Sequence, residues 1–142
     1  MPSAAPALVL AIPAAETDAA PIAAGITSMA GSLCPGPAIR AGFAGDGPAS
    51  LSALLASIAT AREAAAGDEA GACPYAAVVI PLAIAPDPGR EAWIADAAGQ
   101  AGPGVTVTPD LGPHPLLAAA LHDRLAEAGL VQARRLSGLS LV

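Results

Sequence analysis

The chain has 142 residues, 54% apolar and only 2% aromatic, with a net charge of −6. That length suits one domain with its own core, and the acidic balance argues against a nucleic-acid partner. All six cations are arginines, which excludes a Walker-type phosphate loop, and no apolar run approaches the ~20 residues of a membrane span.

Taken in order, the first element is ALVLAI at residues 7–12, a continuous apolar run between prolines that suits a strand buried on both faces. No positive n-region precedes it, so a signal peptide is not expected and a cytoplasmic location is. Residues 19–33 follow with Ile22, Ile26, Met29 and Leu33 at helical spacing, and Glu16 and Asp18 near the amino end where the helix dipole favours them. Residues 38–44 read as a second strand. The turn Gly45-Asp46-Gly47-Pro48 then opens a helix running to about Ala66, with Leu51, Leu54, Leu55 and Ile58 on one face. A solvated loop at 67–71 closes the first βαβα half.

Residues 76–84 are the most strand-like run, interrupted by Pro81, which removes one amide donor. The loop Asp87-Pro88-Gly89-Arg90 leads to a helix at 91–101 with Trp93, Ile94 and Ala97 inward. A β-branched strand at 105–108 follows, then the loop 109–113. Pro115 opens a last helix on which Leu117, Leu121 and Leu125 recur every fourth residue, capped by Gly129. Four strands alternating with four helices predict an α/β fold, a four-stranded parallel sheet flanked by helices in a (βα)4 module. Residues 1–130 make the domain and 131–142 a carboxyl-terminal tail that fits no element.

The cysteines, Cys34 and Cys73, have no metal-ligand spacing and read as reduced thiols. There is no GxGxxG after the first strand, and no GxSxG, HExxH or CxxC. His122, beside Asp123 and Glu127, reads as part of a solvated helix face. His114 follows the fourth strand at the edge where open α/β sheets bind ligands, and either orders the helix start or serves as a ligand. Asp87, Arg90 and Glu91 follow the third strand at the same edge, as helix-start charge or as site residues. Trp93, the only tryptophan, is a core residue or a binding platform.

From Val78 to Leu130 the chain resembles the small class II tetrapyrrole chelatases, the sirohydrochlorin and cobalt chelatase (CbiX-like) group. The resemblance rests on VVIPLAIAP, a helix, and then VTVTPDLGPHPLLAAALHDRLAEAGL. The preceding ALVLA and IRAGFAGDGPASLSALL fit the same order more weakly. It implies insertion of a divalent metal (cobalt, iron or nickel) into a flat macrocycle held above the strand ends, with neutral imidazole binding the metal and accepting pyrrole protons.

The family carries one such histidine in an AHGS-type turn after the first strand and another after the third. This chain has Ile12-Pro13-Ala14-Ala15 at the first place and Pro86-Asp87-Pro88-Gly89-Arg90-Glu91 at the second. It therefore resembles the half of two-module members that keeps the fold and loses the metal ligands. What the resemblance implies is a tetrapyrrole- or chelatase-subunit-binding protein, a homo- or heterodimer, whose metal insertion the missing histidines put in question. The alternative is a structural or regulatory subunit with no small-molecule site. In an active enzyme His114 would be the catalytic residue, with Glu16, Asp87 and His114 on the metal. Pro13, Arg90 and Trp93 would lie against the macrocycle, Arg90 pairing with one of its carboxylates.

Overall fold

A computed structural model of the chain describes residues 5–65 and 74–129. The elements are β1 (Ala7–Ile12), α1 (Glu16–Leu33), β2 (Ile39–Phe43), α2 (Leu51–Ala65), β3 (Ala77–Pro81), α3 (Pro88–Ala101), β4 (Val105–Val107) and α4 (Pro115–Glu127). The strands form one sheet in the order β2-β1-β3-β4, every pairing parallel. Val9 of β1 stands in register with Arg40 on one side and Val79 on the other, and Val79 with Val107. The expected alternating α/β architecture is the one observed.

Two compact units make up the chain, Met1–Leu111 with the whole sheet and α1 to α3, and Gly112–Val142 with α4. The loop expected at 67–71, Cys73 and the tail expected at 131–142 lie outside the described residues.

Sheet order fixes the layers of the first unit. The step from β1 to β2 crosses the sheet in the opposite sense from the steps that lead to β3 and β4. Right-handed crossovers then put α1 on one face and α2 with α3 on the other. Side chains alternate accordingly along β1. Val9 and Ala11 join Ala77 and Val79 beneath Leu51 and Leu55 of α2 and Ile94 and Ala97 of α3. Ile12 joins Phe43 beneath Ala19 and Ala23 of α1. The backbone of α2 comes so close to β2 that a Cβ on Gly42 would stand 2.9 Å from the Cα of Leu51.

Three expectations change. β3 ends at Pro81, where the ring removes the amide that would continue the ladder; the next donor, Leu82 N–H, reaches Ala11 O at 2.9 Å. α1 starts at Glu16, taking both carboxylates into its first turn. It also packs through its alanines: Ala19 and Ala23 are buried, while Ile22, Met29 and Leu33 are 66%, 63% and 82% exposed. Small side chains let the helix lie close to the sheet. Both sets recur at helical spacing, so periodicity showed that a face exists and not which one turns inward. On α4, likewise, Leu121 and Leu125 are exposed and no residue is buried.

Candidate site at the carboxyl edge of the sheet

Parallel strands deliver their following loops to one edge, and here the loop after β4 is tied both to β3 and to the loop that follows it. Thr108 N–H donates to Val79 O within β3 and Leu111 N–H to Ala83 O in the loop, each at 2.9 Å. Beside them opens a recess of about 340 Å³, walled by Pro81, Ile94, Ala95, Val107 and Pro109, with Thr108, Glu91 and Asp110 as its polar members. A smaller recess of about 190 Å³ lies after β1 and β2, where Glu16 and Thr17 face Phe43 and Ser50.

Arg90 holds the larger site's frame. Its Nη2 donates to the carbonyl of Ala85 and lies 3.5 Å from Asp110 Oδ2, while Nη1 stands 3.8 Å from Asp87 Oδ2. The Arg90 and Asp110 side chains are only 11% and 16% exposed. Arg90 Nε is buried with no hydrogen-bond partner. The guanidinium is therefore engaged with carboxylates of its own chain.

Asp87 is the N-cap of α3, its Oδ1 accepting from Gly89 N–H at 3.0 Å and Arg90 N–H at 3.3 Å, with Pro88 opening the helix. Glu91, one turn in, keeps an exposed carboxylate at the recess. Trp93 is half-buried against the core on the α2/α3 face of the sheet. Pro13 is exposed in the turn after β1.

His114 belongs to the second unit, where it caps α4: Nδ1 accepts from Leu116 N–H at 3.1 Å. An accepting Nδ1 leaves the proton of the neutral ring on Nε2, which is then a donor and not a metal ligand. A metal on His114 would cost either that proton or the cap. His122 is exposed beside Asp123, and Arg124 pairs with Glu127 at 2.6 Å on the same helix.

The structure thus gathers Glu91, Asp110 and Arg90 at one place, with Asp87 adjoining, and sets Glu16 at the other recess. Among the described residues no three His, Cys, Asp or Glu side chains form a group that could hold a metal. Asp110 and Thr108 were missed from sequence. The one signal for them was a β-branched strand ending in Thr-Pro-Asp at the ligand-bearing edge. No described helix is long and apolar enough to cross a membrane. Comparison with protein-family models, curated proteins and solved structures gives no match.

Proposed function

We propose that this chain is a chelatase-like α/β module that does not insert metal itself. Its role is to bind a tetrapyrrole, or to stand beside a catalytic chelatase subunit, through the carboxyl edge of β3 and β4. The observation that carries this reading is the apolar recess at that edge, floored by Pro81, Ile94 and Val107 and rimmed by Glu91 and Asp110. Apolar side chains suit the face of a flat macrocycle, and a carboxylate such as that of Glu91 can accept from its central N–H groups. A recess of this size takes one edge of the ring, the remainder lying over the strand ends. The LGPHPLL segment that prompted the resemblance supports the same reading.

Metal, in this family, is the substrate to be inserted. The donors at the edge suit holding the ring better than handling the ion, because Asp87 is spent on the cap of α3 and His114 on that of α4. Arg90 acts here as a positioning residue for the two loops, since its charge is already met by Asp110 and Asp87.

Titrating the protein against sirohydrochlorin or a porphyrin and following the Soret band tests the macrocycle arm. A saturable shift at about tens of micromolar is expected, weakened in Glu91→Gln. For a polycarboxylate ring it should strengthen with added salt, which screens the repulsion from an acidic protein. Light scattering with a catalytic chelatase tests the subunit arm. Absence of both the spectral shift and a complex rejects the reading.

A further inference from the structure

The recess after β3 and β4 is unevenly charged. Asp87, Glu91 and Asp110 bring three carboxylates to this edge against the guanidinium of Arg90, and three less one leaves a surplus of two negative charges. Arg90 divides its charge between Asp87 at 3.8 Å and Asp110 at 3.5 Å, reaching each through one carboxylate oxygen. The Glu91 carboxylate has no hydrogen-bond or ion-pair partner among the described residues. It also stands one position beyond the place in the first turn of α3 from which a glutamate reaches back to the N-cap amide, so capping does not occupy it. Behind these groups the wall is apolar, formed by Pro81, Ile94 and Val107. Its volume of about 340 Å³ lies near the lower end of small-molecule sites.

We infer that this recess is a binding site for a small organic ammonium ion with an apolar body. Every other class of occupant meets an opposing term. An anion adds to the negative surplus. A neutral apolar molecule takes water from Glu91 and returns no hydrogen bond, leaving a polar group covered and unpaired. A metal ion needs several donors at once, and among the described residues no three His, Cys, Asp or Glu side chains form such a group. An ammonium instead replaces the lost water with N–H donors of its own. Its acceptors at the recess are Glu91, Asp110 through the oxygen turned from Arg90, and the Thr108 hydroxyl, whose proton goes to Pro109 O at 3.2 Å. An α-amino acid is disfavoured, because it sets a carboxylate beside its ammonium. This inference goes beyond the macrocycle reading and does not depend on it. Salt separates the two ligands: screening weakens a cation at an acidic site and relieves the repulsion of a polycarboxylate ring.

The test adds phenethylammonium to the full chain and follows the methyl signals of Ile94 and Val107 by NMR. Saturable shifts are expected, with a dissociation constant on the order of 1 mM for so small a ligand, rising with added salt. Glu91→Gln should weaken binding at least about fivefold. Glu63→Gln, which removes the same charge from an exposed position on α2, should leave it unchanged. Phenethyl alcohol and phenylalanine should each bind at least about fivefold more weakly than the amine. The dispersed methyl spectrum of each variant confirms that its fold is intact. Equal affinity for amine and alcohol, no effect of Glu91→Gln, equal weakening by Glu63→Gln, or no shift up to about 20 mM overturns the inference. Amine binding without a Soret shift from a macrocycle upholds the inference and rejects the macrocycle arm. A Soret shift without amine binding does the reverse.

Discussion

Arg90 Nη2 lies 3.5 Å from Asp110 Oδ2, a pair that spans twenty residues of sequence and joins the loop after β3 to the loop after β4. Both side chains are largely withdrawn from water, and Arg90 also holds Ala85 O and faces Asp87. Removing one partner leaves the other charge poorly solvated, which costs more than the pair itself contributes. Arg90→Met is expected to lose about 1–3 kcal/mol in urea denaturation. Arg90→Lys should recover only part of that, because an ammonium cannot serve carbonyl and carboxylates from one planar fork. Removing both charges in Arg90→Met/Asp110→Leu should be milder than the sum of the singles. Additive losses would mean that the two groups do not interact.

Asp87 separates capping from ligand binding. Asp87→Ala removes the acceptor for two amides at the start of α3 and should cost about 1 kcal/mol, whereas Asp87→Asn keeps an acceptor and should stay within a few tenths of the parent. Macrocycle affinity should follow the same order. A collapse of Soret binding in the stable Asn variant would show that the charge acts on the ligand directly.

The alternation of elements is legible because short strand-like runs, each with proline or glycine within a few residues of its end, alternate with helices that repeat their apolar residues. The inward sides of α2 and α3 are legible for a related reason: their large apolar residues fall on one side of each helix, with Leu51, Leu55 and Ile94 fully buried and Leu54, Ile58 and Trp93 packed against them. On α1 that rule reversed, since the side that packs is the one with the least volume. The site was half legible. Sheet topology pointed to the edge and to residues 87–91, yet the partner of Arg90 lies on another loop, and no local pattern connects residues so far apart in sequence. For His114 the sequence leaves two roles open, ordering the start of α4 or serving as a ligand, and the structure shows its ring as the N-cap of that helix. Which ring nitrogen is engaged emerges only from the geometry of the cap.

Two glycines in different settings give opposite expectations. Gly42→Ala would drive a Cβ to 2.9 Å from both the Cα and a methyl group of Leu51, and backbone cannot yield as a side-chain tip can. A loss of about 2 kcal/mol or more is expected, with β2 and α2 pushed apart. Gly99→Ala sits inside α3 with nothing within 4 Å of the new carbon. It should raise stability by about 0.5–1 kcal/mol through reduced freedom of the unfolded chain. Equal effects from the two, measured by thermal melts of the same preparation, would contradict the close β2–α2 approach.

His114 offers the sharpest separation between a structural and a chemical role. Its Nδ1 accepts from Leu116 N–H, so an asparagine, whose side-chain oxygen can accept the same bond, preserves the cap while deleting the imidazole. His114→Ala is expected to speed hydrogen exchange at Leu116 by roughly fivefold, the loss of about 1 kcal/mol of local protection. His114→Asn should restore the slow rate and leave the Soret titration unchanged. If Asn restores the exchange rate but weakens macrocycle binding, the imidazole acts on the ligand beyond its part in the cap of α4.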